Sequence, residues 1–302
     1  MLLAALRSRF LCLLPFAAAC LFTTTPVLAA PVRQTLKTDS GLTSSEWLPR
    51  NFSAHHHDVP LILFSHGFGG CAQQSRTLTQ ALADAGYAVL APNHKDKGCE
   101  RYTTGMVSGM WKMMTGRGPD KSFGKDAKWD ASTEVSRHDD MEALLDFALS
   151  HEPTKSAIDP ARIGLMGHSL GGYTVLGLAG AWPQWRDPRF KAVLALAPFS
   201  APFLDKDTLG KIAIPVMFQG GTSDALVGPE MVAQSYAMVT APKYLVMLKG
   251  GGHFVFTELN KTYQATIAAY AIAFFDTNLR GKSAPLLERP AVRQVAQFER
   301  RP

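Results

Sequence analysis

The stretch "RIGLMGHSLGGYTVLGLAG", residues 162–180, decides the fold. An apolar run, Ile163 to Met166, leads directly into Gly167, His168, Ser169, Leu170 and Gly171, and a helix-like segment follows. A sharp turn from a buried strand into a helix strains its middle residue, and only small neighbours fit around it. Glycines two positions before and after Ser169 relieve the clash and leave its hydroxyl at the carboxyl end of the strand. The next backbone NH groups, from Leu170 on, then face any negative charge that develops there.

Working outward, the same punctuation recurs. "PLILFSH" (60–66), "YAVLAPN" (87–93), "FKAVLALAP" (190–198), "IPVMFQGG" (214–221) and "KYLVMLKG" (243–250) are short, continuous apolar runs. Continuous rather than alternating apolarity marks strands buried on both faces. Helical spacing fills the gaps at "QQSRTLTQALADAG", at "VSRHDDMEALLDFALSH" and in the closing "NKTYQATIAAYAIAFFDTNLRG", stopped by Gly281. Strand–helix alternation predicts an α/β fold, a mostly parallel central sheet with helices on both faces. One domain is expected over 30–281, with a polar, loosely held tail over 282–302. The connection 103–130 is long, and Met106, Met110, Trp111, Met113 and Met114 are spaced like one helical face. It reads either as ordinary packing or as an apolar cap insertion.

Composition narrows the setting. The 302-residue chain is 46% apolar and 19% charged, which predicts a globular core. Residues 1–29 have Arg7 and Arg9, an apolar stretch Phe10 to Phe22, and Val27 and Ala29 before a cleavage point. That is the layout of a signal peptide, and the run, broken by Pro15, is too short for a stable membrane span. Lipid attachment at Cys20 is disfavoured, because apolar residues continue beyond it. Removing the leader takes two arginines and lowers the net charge from +6 to +4. No basic block points to nucleic acid. A monomer in the periplasm or outside the cell is expected. There the two remaining cysteines, Cys71 and Cys99, each in a loop leaving the same sheet edge, are expected to pair.

A serine hydroxyl needs a base, and the base needs an orienting acid. Asp224 follows the strand at 214–221, and His253 lies in the glycine loop after 243–250. Asp205 and Asp207, after the strand ending at Pro198, compete for the acid's place; Asp187 precedes that strand and is badly placed. His66, in "SHGFGG", reads as a structural histidine, and the NH of Phe68 is expected to join that of Leu170 as an oxyanion hole. The triplet His55 to His57 lacks further ligand spacing, so no metal is expected. No cofactor is needed.

The motifs "FSHGFGG", "APNHKD", "RHDDMEALLDF", "GHSLGGYT", "LALAPF", "GTSDALV" and "GGGHF" together resemble the α/β-hydrolase superfamily. Within it, they resemble the branch of dienelactone-hydrolase-like proteins, platelet-activating-factor acetylhydrolases and cutinase-like polyester hydrolases. The resemblance covers about residues 60 to 255. It implies Ser169, Asp224 and His253 as a catalytic triad and Phe68 and Leu170 as oxyanion donors. A serine rather than a cysteine nucleophile disfavours dienelactone chemistry. His168 and Phe199 replace the aromatic residue and the tryptophan usual in polyester hydrolases. With about 30 residues of mature chain ahead of 60–66, the first family strands are expected to be short or absent. The reading is an exported serine esterase for small or polymeric esters, with Phe199 and Trp111 lining the substrate pocket and Phe254 and Phe256 as weaker candidates. A polyester hydrolase, or a peptidase or amidase with the same triad, is the alternative. Intact triad residues argue against a non-enzymatic binding protein.

Overall fold

A computed structural model of the chain describes residues 32–52, 55–99, 119–288 and 292–301. The expected leader at 1–29 and most of the cap, with Met110, Trp111 and Met114, lie outside these residues.

The six apolar runs all become strands: β3 (Val59–Ser65), β4 (Ala88–Pro92), β5 (Ile158–His168), β6 (Phe190–Leu196), β7 (Val216–Gly221) and β8 (Lys243–Leu248). They pair in parallel, in the order β4-β3-β5-β6-β7-β8. Every residue of β3, β4, β7 and β8 is buried, which explains why these runs show no polar alternation. Helices α1 (Arg76–Asp84) and α4 (Gln264–Arg280) cover one face; α2 (Val135–Ser150) and α3 (Leu170–Leu176) cover the other. Leu78, Leu82, Ile267 and Phe274 belong to the first core layer, and Met141, Leu144 and Val175 to the second.

Both edges of the sheet differ from the sequence expectation. The first strands are present: β1 (Val32–Lys37) and β2 (Thr43–Leu48) form an antiparallel pair, and β2 joins β4 antiparallel. At the other edge the segment after Gly281 is not loose. Its β9 (Val295–Arg301) runs antiparallel to β8, with Phe298 opposite Val246 and its ring tilted against Tyr270 at 5.8 Å. An edge strand exposes one face and one rim, so a polar sequence with a few apolar anchors suffices, and its composition reads as a tail. The described residues thus build a nine-stranded sheet, parallel inside and antiparallel at both margins.

The parallel order fixes where chemistry can gather. The carboxyl ends of β3, β5, β6, β7 and β8 lie in a row, and the loops after them carry Phe68, Ser169, Phe199, Asp224 and His253. The neighbouring β3 and β4 also send out Cys71 and Cys99, which form a disulfide with Cα atoms 5.4 Å apart. The NH of Gly98 donates to Gly70 O at 2.7 Å beside it. Closing a loop of 28 residues contributes about 3–4 kcal/mol on the chain-entropy model. The bridge ties down the loop that carries Phe68.

Candidate active site

Ser169 adopts φ 55°, ψ −117°, outside the regions that L-residues favour. Its neighbours explain how the chain tolerates this. A Cβ on Gly167 would lie 2.2 Å from Gly171 O, and one on Gly171 would lie 2.0 Å from Ser65 O. Strand, turn and helix therefore approach more closely than any side chain permits. The turn is held by the Ser169 NH on Leu196 O (3.0 Å) and by the Phe199 NH on Ser169 O (2.9 Å). Strain of this kind persists only where the surroundings over-determine it. The serine is half-buried.

Asp224 and His253 meet. His253 Nδ1 lies 2.8 Å from Asp224 Oδ2, and both residues are buried. The other carboxylate oxygen, Oδ1, accepts the NH groups of Leu226 (2.9 Å) and Val227 (3.0 Å). Burial pushes the Asp224 carboxyl up, but the His253 hydrogen bond and these two NH groups outweigh it, and its pKa is lowered. The ionised carboxylate can only accept, so Nδ1 carries the proton and Nε2 keeps its lone pair. Among the described residues, no hydrogen bond joins that nitrogen to Ser169 Oγ; such contacts commonly tighten only with substrate bound. Asp205 and Asp207 are exposed, at and just beyond the end of a short helix, Ala201–Asp205, and Asp187 pairs with Arg189.

The loop after β3 is held from several sides. His66 is fully buried, with Nδ1 donating to Gly67 O (2.8 Å) and Nε2 accepting the His94 NH (3.1 Å). Arg137 donates to His66 O at 2.9 Å and forks onto Asp96 at 2.8 and 2.9 Å. Asp96 Oδ2 accepts the Gly69 NH (2.9 Å). Burial raises the Asp96 carboxyl, but the Arg137 guanidinium more than offsets it and holds the group well below the usual carboxylate range. Among the described residues, the NH groups of Phe68 and Leu170 meet no acceptor.

A second chain of contacts links that loop to the histidine. The Gly67 NH donates to Gln74 Oε1 (3.1 Å), Gln74 Nε2 donates to His168 Nδ1 (2.8 Å), and His168 Nε2 donates to His253 O (3.1 Å). Burial pushes the His168 pKa down to about 3, so the ring stays neutral and keeps both roles. His168 therefore braces the His253 backbone.

Aromatic rings cluster around Phe68 and Phe199, the residues that follow β3 and β6. Phe199 is nearly buried against Trp129 (5.0 Å), and Phe123 meets both Phe68 (5.6 Å) and Phe199 (5.0 Å) edge-on. Phe254 is exposed beside His253, whereas Phe256 is core. Trp111 lies outside the described residues. Of the histidine triplet, His55 pairs with Asp58 (3.0 Å) and His57 donates to Ile158 O (3.1 Å).

Sequence reading missed Gln74, Asp96, Arg137, Phe123 and Trp129. Asp96 and Arg137 stand inside "APNHKD" and "RHDDMEALLDF", which carried the resemblance, yet nothing local pairs residues 41 positions apart. Gln74 reads as a helix start, with no hint of a partner 94 residues on.

Known proteins are similar to this chain over parts of its length. A family model described as "PET hydrolase-like" matches residues 123–289, and one for platelet-activating factor acetylhydrolase, isoform II, matches residues 39–106. The platelet-activating factor acetylhydrolase of Cavia porcellus is 22% identical over 218 residues, 66% of this chain and 48% of that protein. Cutinase est2 of Thermobifida alba is 28% identical over 150 residues, 48% of this chain and 47% of that protein. Lipase 1 of Moraxella sp. (strain TA144) is 30% identical over 120 residues, 39% of this chain and 34% of that protein. The chain spans about half the length of the first two and a third of the last. The first family model covers more than half of the chain, including Ser169, Asp224 and His253 in the loops after β5, β7 and β8 of an α/β-hydrolase sheet, and the chain belongs to the PET hydrolase-like family.

Proposed function

We propose that the protein is an exported carboxylic ester hydrolase working through an acyl-enzyme on Ser169. The observation that carries this reading is the strained Ser169 turn beside the buried His253–Asp224 pair, on one edge of a hydrolase sheet. Ser169 Oγ attacks the ester carbonyl while His253 Nε2 takes its proton. The oxyanion is met by the NH groups of Phe68 and Leu170. The C–O bond to the alcohol breaks, and the alcohol leaves with the proton from His253. Water, deprotonated by His253, then attacks the acyl-serine and frees the acid, restoring Ser169. Asp224 keeps the imidazole in its productive tautomer and stabilises the imidazolium. None of these steps uses a cofactor.

The names of the relatives (cutinase, lipase, acetylhydrolase) support an ester rather than an amide substrate. The family description supports polymeric esters as a second class. The disulfide supports a compartment outside the reducing cytosol, in keeping with a leader over residues 1–29 and a hydrolase domain beginning at 30. Among the described residues, no helix is long and apolar enough to cross a membrane.

The test is a panel of p-nitrophenyl esters from acetate to octanoate, with the matching p-nitroanilides and a polyester film. Ester turnover well above anilide turnover is expected. A folded protein that cleaves no ester, or cleaves the anilides faster, would contradict the reading.

A further inference from the structure

Among the described residues of this aromatic cluster, Phe123 is substantially exposed, at 44%, and meets both Phe68 and Phe199. Phe68 belongs to the loop after β3, one residue from Gly67, where a Cβ would come within 3.3 Å of Ser169 Cβ. Phe199 reaches the serine from the other side, its NH on Ser169 O. The two rings meet through Phe123, which stands edge-on to each, at 81° and 85°. Beneath it Trp129 is fully buried, stacks on Phe123 at 5.8 Å and donates its indole NH to Ser122 O (3.3 Å). Gly124 follows with φ +81° and open space around its Cβ position, and the Lys125 NH donates to Ser122 O (3.2 Å), so the chain turns just after the ring. A planar ring held edge-on between two others excludes a second planar group from that place, and edge-to-face contacts are individually weak.

We propose that Phe123 is a specificity plug: it fills the slot between Phe68 and Phe199, confines the acyl side to short aliphatic groups, and keeps aromatic acids out. The assignment rests on the ester hydrolase reading above. Trimming the ring should open the slot. Size discrimination in an apolar pocket is modest, so the effect should be about tens-fold, not thousands-fold.

The experiment compares kcat/KM for p-nitrophenyl benzoate and p-nitrophenyl acetate in wild type, Phe123→Ala, Phe123→Leu and Phe123→Trp. Each protein is first checked for folding by circular dichroism and for fluorophosphonate labelling. The benzoate-to-acetate ratio should rise about tens-fold in Phe123→Ala, rise less in Phe123→Leu, and fall in Phe123→Trp. The leucine variant keeps most of the apolar contact and serves if the alanine variant does not fold. A ratio that stays level or falls on trimming, in labelled protein, overturns the plug and leaves the hydrolase reading standing. A wild type that takes no label and cleaves neither ester overturns both.

Discussion

Ser169→Ala should lower ester turnover by at least about ten-thousandfold while the protein stays folded. The hydroxyl is the only part removed. Ser169 is half-buried, and its turn is held by backbone bonds to Leu196 and Phe199 that alanine keeps. The close approach of Gly167 and Gly171, which enforces φ 55°, is also untouched. Alanine at that φ is no better than serine, so a small loss of stability is expected beside a near-total loss of rate. The acyl-enzyme cannot form without the oxygen. Residual turnover could come only from water attacking a carbonyl held by the Phe68 and Leu170 NH groups. Clean, folded Ser169→Ala protein retaining more than about a ten-thousandth of wild-type kcat would count against Ser169 as nucleophile.

Asp224→Asn should cost about three to four orders of magnitude in kcat, with KM changed little. The side chain keeps its shape, and its oxygen can still accept the Leu226 and Val227 NH groups. What changes is the face toward His253 Nδ1, 2.8 Å away. A carboxylate there accepts a proton; an amide NH2 offers one. The imidazole then turns its lone pair to Nδ1 and protonates Nε2, and a protonated Nε2 cannot relieve Ser169 of its hydrogen. The amide also gives no charge to stabilise the imidazolium. Asp205→Asn and Asp207→Asn are the controls, since both residues are exposed and, among the described residues, it is Asp224 that pairs with His253. A large loss from either of these, with Asp224→Asn near wild type, would move the acid to the end of β6.

The chain made its interior legible and its margins less so. The six parallel strands are continuous apolar runs because both faces are covered, and the Ser169 turn announces itself through glycines that steric contact requires. Asp224 and His253 were readable because parallel strands send their carboxyl ends to one edge, so position along the chain translates into position in space. The disulfide followed from the same logic. The edge strands β1, β2 and β9 were missed because an edge needs little apolar surface. Supports of the site were missed for another reason. The contacts of Gln74 with His168, and of Arg137 with Asp96, depend on side-chain reach across the fold, which has no local period. Phe123 lies in the stretch flagged as a cap, but the sequence drew attention to the methionines and Trp111 rather than to the ring that meets Phe68 and Phe199.

The most direct measurement is the site of covalent labelling by a fluorophosphonate, read by peptide mass spectrometry. Such a probe reacts with a serine only where a base and an oxyanion hole activate it. One phosphonyl group per chain is expected, on the peptide containing Ser169, absent in Ser169→Ala and strongly slowed in Asp224→Asn. Labelling at a different residue, or no labelling of the folded wild-type protein, would contradict an activated serine at the end of β5.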